Sequence, residues 1–106
     1  MNIYTIYADV VEGTNPKQFV ANMKNFLDAL PTMHAYRITR MKLGFRSMDL
    51  PEFRIDMEFK TMQDLDDAMT HVLRNDDDIE THHVSFNSMV DIETIQHFLY
   101  RDYPDE

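Results

Sequence analysis

Residues 2–10, NIYTIYADV, alternate between β-branched or aromatic positions and their neighbours, the period-two pattern of a strand with one buried face. Gly13 and Thr14 break that pattern. Asn15 then suits a helix cap, and Pro16 suits the first helical position, where a missing N–H costs nothing. Phe19, Met23, Phe26, Leu27 and Leu30 fall on one helical stripe, which Pro31 ends. Residues 34–43 and 52–59 predict two more strands, separated by GFRSMDLP, in which Gly44 and Pro51 punctuate a loop. Thr61 with Asp64 forms a cap-like start for a second helix, whose apolar face is Met62, Leu65, Met69, Val72 and Leu73. After the polar run NDDDIET, residues 82–91 (HHVSFNSMVD) predict a fourth strand, and residues 91–106 read as an aromatic C-terminal tail that docks.

The resulting order, βαββαβ, closes most simply as a ferredoxin-like α+β domain: a four-stranded antiparallel sheet with two helices on one face. Pairing residue 43 with 52 in the hairpin puts Tyr36 and Ile38 toward the helices, opposite Phe59 and Met57. On the other face the same register sets Arg37 opposite Glu58, Thr39 opposite Asp56 and Met41 opposite Arg54. Alternation places Ile3, Thr5, Tyr7 and Asp9 there as well, with His83, Ser85, Asn87 and Met89 from the predicted last strand. A face mixing apolar groups with paired charges suits a second copy of itself. Two such sheets packed across a two-fold axis would enclose a cavity, so a homodimeric α+β barrel is expected.

Length and composition narrow the field. The 106 residues, 43% hydrophobic, fit one domain spanning 1–106. Net charge of −9 repels phosphate backbones and anionic lipid surfaces, so neither nucleic acid nor membrane is an expected partner. Cysteine is absent, which removes disulfides, thiolate metal sites and a cysteine nucleophile. No leader-like or membrane-length apolar run occurs, and a cytoplasmic location is the simplest expectation. Nine methionines, set at helix and strand spacing, suit a core that adapts to irregular gaps.

The segments RITRMKLGF from Arg37, HVSFNS from His83 and FLYRDYPD from Phe98 resemble an uncharacterised bacterial family within the dimeric α+β barrel superfamily. That resemblance implies the same dimeric fold across nearly the whole chain. The wider superfamily includes cofactor-independent monooxygenases that form quinones, muconolactone isomerases, EthD-like proteins, haem-binding relatives of chlorite dismutase and stress-responsive proteins. One architecture hosting so many activities says where a site would lie and not what happens there.

The residues suggest a binding pocket for a small, partly apolar aromatic or carbonyl compound on the open sheet face. His83 is the candidate general base; Asn87 and Tyr7 would hold developing oxygen charge, with Arg37, Glu58, Thr5 and Met89 as the substrate-binding wall. Such a set would serve cofactor-free proton transfer, isomerisation or oxygenation. The competing expectation is a non-catalytic interaction protein in which the same groups satisfy one another across a dimer interface. A metal site is not expected. His82 and His83 are strand neighbours pointing to opposite faces, and no H-x-H or H-x-x-x-H pair replaces them. Asp76, Asp77, Asp78 and Glu80 lack calcium-loop spacing. With Gly13 and Gly44 as the only glycines, no phosphate loop or dinucleotide fingerprint exists, and no cofactor is expected.

Overall fold

A computed structural model of the chain describes residues 1–42, 50–73 and 88–104. Its elements are β1 (Asn2–Ala8), α1 (Pro16–Ala29), β2 (Ala35–Arg40), β3 (Phe53–Phe59), α2 (Met62–Leu73), a short 3-10 turn (Ile92–Thr94) and β4 (Gln96–Arg101). The strands form one antiparallel sheet in the order β2-β3-β1-β4, the ferredoxin-like arrangement expected from the sequence.

Both helices start where their capping residues stand. The Asn15 side chain accepts from the Lys17 N–H at 2.9 Å, with Pro16 as the first helical residue. Thr61 Oγ1 likewise accepts from the Asp64 N–H at 3.0 Å. The predicted α1 stripe, Phe19, Met23, Phe26, Leu27 and Leu30, is buried throughout. It packs on the inner sheet face, where Ala8, Phe53, Ile55, Met57 and Phe59 complete the core. In α2 the buried positions are Leu65 and Ala68, with Met69 and Val72 packed beside them. Met62 is 51% exposed, so the first turn of α2 lies outside the core.

Two expectations need correction. The fourth strand of the sheet comes from the C-terminal tail: Gln96–Arg101 pairs with β1. Of the segment expected to supply it, residues 82–87 lie outside the described residues, Ser88 and Met89 form a turn, and Val90 makes an isolated bridge to Val10. The physical reason lies in the alternation of QHFLYR, where His97 and Leu99 lie on the inner face and Phe98 and Tyr100 on the outer. Gln96–Arg101 thereby pairs with Asn2–Tyr7 of β1.

The β2–β3 register is also shifted by two residues from expectation. Arg37 stands opposite Asp56 rather than Glu58, Thr39 opposite Arg54, and Tyr36 opposite Met57. A shift of two keeps every side chain on its expected face, because strand faces repeat with that period. The partition of β1 therefore holds, with Ile3, Thr5 and Tyr7 on the outer face opposite Glu58, Asp56 and Arg54.

Candidate functional site

The outer sheet face gathers Tyr7, Thr5, Arg37 and Glu58 as the sequence predicts. His83 and Asn87, expected there as base and oxyanion holder, lie outside the described residues. Met89 is not on this face. It packs against the core, and Asn22 of α1 donates to its sulfur at 3.7 Å, so the expected substrate contact by Met89 is corrected to a core role.

Most of the polar groups on this face answer one another. Thr5 is 0% exposed, and its hydroxyl donates to Asp56 Oδ1 at 2.6 Å. Arg54 Nε donates to both Asp56 oxygens, at 3.2 and 3.0 Å, and its guanidinium lies 5.6 Å from the Tyr7 ring centroid. Burial works to lower the Arg54 pKa, but the hydrogen bond and charge of Asp56 raise it on balance. Beyond Tyr7 the face turns aromatic: Tyr7 meets Phe98 edge to face at 6.0 Å, and Phe98 leans on Tyr100 at 6.1 Å. Phe98 and Tyr100 remain 41% and 46% exposed. An open depression of about 290 Å³ lies among Ile3, Arg37, Arg54, Asp56 and Glu58.

A second site, absent from the sequence reading, lies on the inner face. Between the sheet and the two helices is a cavity of about 180 Å³ whose walls include Ile6, Met23, Phe26, Met69, Val72 and Ile95. Its lining is largely apolar, and two polar side chains stand in it together. The Tyr4 hydroxyl and His97 Nδ1 are 2.7 Å apart, with their rings edge to face at 5.8 Å. Burial raises the Tyr4 pKa above the ordinary phenol value, so the hydroxyl is protonated and available as a donor at neutral pH. The pair stands at the edge of this chamber, where His97 is exposed.

His97 lies within residues 91–106, which the sequence reads as a docking tail. The signal that would have found it was the alternation in QHFLYR, which, read as a strand beside β1, puts His97 next to Tyr4 on the inner face. Among the described residues no group of three or more His, Cys, Asp and Glu side chains could hold a metal ion. Nor, among them, is any helix long and apolar enough to cross a membrane.

Comparison with known proteins bears on this geometry. A model described as a family of unknown function, DUF6614, matches residues 1–106. The chain belongs to the DUF6614 family. Comparison with curated proteins gives no match for this DUF6614 chain. Its fold is shared by At3g17210 of Arabidopsis thaliana, with a TM-score of 0.77 and 10% identity over 100% of this chain and 99% of that one. It is similar to a dimeric ferredoxin-like protein of unknown function from Jannaschia sp., with a TM-score of 0.69 and 9% identity over 95% and 98% of the two chains. A hydroxynitrile lyase from Passiflora edulis matches with a TM-score of 0.65 and 14% identity over 93% and 90%. At these identities the likeness concerns the fold alone.

Proposed function

We propose that this DUF6614 protein is a homodimer whose protomers meet sheet to sheet, and that each protomer binds a small, largely apolar molecule in its inner cavity. Tyr4 and His97 hold the one polar oxygen of that molecule. The observation that carries this reading is the Tyr4–His97 hydrogen bond set in an otherwise apolar chamber. Phenols and carbonyl compounds fit: an apolar body fills the Met- and Phe-lined space, and the oxygen displaces or joins the existing hydrogen bond. The chemistry within reach is cofactor-free proton transfer, as an isomerase or an oxygenase of electron-rich phenols requires.

The outer face then takes the part of interface. Its central acid is already bonded to Thr5 and Arg54 within the protomer, while Phe98 and Tyr100 offer exposed aromatic area of the kind that interfaces bury. The similar Jannaschia protein, described as dimeric, supports this. Tyr7, Arg37 and Glu58 are accordingly interface residues, Thr5 lies buried beneath them, and the sheet-face pocket gives way to the inner one.

The test is to titrate the protein with a panel of small phenols and enones while following NMR shifts and native mass. Binding is expected to weaken about tenfold in Tyr4→Phe and His97→Gln, the loss of one good hydrogen bond, with dimer mass unchanged. Failure of every compound to bind, or equal binding by both variants, would leave only the second reading. In that reading the protein is a non-catalytic interaction module, and the satisfied polar face is what favours it.

A further inference from the structure

The sheet has an open edge at β2 among the described residues. Met41 N–H donates to Glu52 C=O at 2.7 Å, which fixes the phase of the β2–β3 ladder. In that phase Ala35, Arg37 and Thr39 bond to β3, while Tyr36, Ile38 and Arg40 turn their backbone N–H and C=O groups outward. A groove of about 710 Å³ runs along this edge between β2 and α1. Its apolar floor includes Val20, Ile38 and Phe53, and its rim carries Lys17, Lys24, Arg37 and Arg40.

Lys17, Lys24 and Arg40 bring three of the chain's 10 basic side chains to one groove on a protein of net charge −9, while the Arg37 side chain belongs to the outer face. Lys17 and Lys24 are seven residues apart on α1, two helical turns along one stripe, and both are exposed without an acidic partner among the described residues. Arg40 is bonded to Glu52 and stacked over Phe53 at 5.6 Å, so its guanidinium is held in place at the far end. Asp28 is the one acid nearby on α1, and it is occupied by the Tyr36 hydroxyl at 2.8 Å.

We propose that this groove binds an extended acidic peptide, which adds as a fifth strand to β2. The outward backbone groups of Tyr36, Ile38 and Arg40 would supply the ladder, the half-buried Val20 and Ile38 a seat for alternate apolar side chains, and Lys17 and Lys24 the charge that selects carboxylates. Charge complementarity calls for an acidic occupant, and the apolar floor beside the lysines calls for apolar side chains between its carboxylates.

Fluorescence anisotropy of the full chain with a labelled hexapeptide alternating glutamate and valine tests the proposal. Saturable binding is expected, weakening as salt rises. The double variant Lys17→Glu/Lys24→Glu should lose at least about tenfold in affinity, and Lys24→Ala, the milder change, a smaller part of it. The same peptide N-methylated at alternate backbone nitrogens should lose a similar factor, since strand addition needs those donors. Absence of saturable binding overturns the proposal. So does equal binding of the N-methylated peptide or of plain hexaglutamate, which would mean unspecific attraction of charge. Equal binding by the lysine variants overturns it too, and would leave the lysines as guards that keep other strands off an exposed edge.

Discussion

Thr5 sits on the sheet face that points away from the helices, yet none of it reaches solvent, because Phe98 stands opposite on β4 and Asp56 opposite on β3. Its hydroxyl has one partner, the Asp56 carboxylate. Thr5→Val keeps the shape and removes the donor, and should lower stability by about 1 kcal/mol, read from chemical denaturation. The tyrosines set a second residue-scale expectation. Burial raises the Tyr4 pKa; at Tyr36, burial comes first, followed by the hydrogen bond and charge of Asp28, in the same direction. A phenol whose pKa is higher folded than unfolded contributes stability that is complete below the ordinary phenol range and disappears as pH climbs through the folded value. Thermal melts should therefore hold steady through neutral pH and fall in the alkaline range, and Tyr36→Phe should flatten part of that fall. At this scale the sequence was only partly legible. Tyr7, Thr5, Arg37 and Glu58 could be placed on one face from alternation alone. The Tyr4–His97 pair could not, since it joins residues 93 positions apart through a strand that had not been recognised.

The elements that were easiest to foresee are those whose ends carry their own chemistry. Asn15 followed by Pro16 marks the start of α1 to the residue, and Asn15→Ala should cost about 1 kcal/mol in the same denaturation measurement, as loss of a helix cap does. Strand registers were harder, because a two-residue slide leaves the buried pattern intact and only contacts between particular partners distinguish the two. Thus Tyr36 and Ile38 were correctly expected to face the helices, while Arg37 finds Asp56 instead of Glu58 across from it. β4 was hidden for another reason. HHVSFNSMVD sets Val84, Phe86 and Val90 at strand spacing and so draws the eye first, while the observed partner of β1 is QHFLYR, whose Phe98 and Tyr100 complete an aromatic outer edge and whose His97 reaches Tyr4. Pairing along β1, rather than local propensity, decides which segment joins the sheet.

At the scale of the whole molecule, the two sides of the sheet divide the labour. Among the described residues the inner side is packed by helices around the Tyr4–His97 chamber, and the outer side is partly aromatic and internally paired. Phe98→Glu puts a charge in the middle of the proposed interface and should shift the native mass from twice 12.6 kDa toward 12.6 kDa at micromolar protein, while binding in the inner chamber persists. A wild-type mass of 12.6 kDa at every concentration would rule the dimer out. The order β2-β3-β1-β4 carries one more consequence, for how quickly each amide trades its proton for deuterium. β1 and β3 are bonded on both flanks and should exchange only when the domain opens as a unit. Along β2 protection should instead come and go at every second position: slow at Ala35, Arg37 and Thr39, fast at Tyr36, Ile38 and Arg40, a comb whose teeth mark which way each peptide group points.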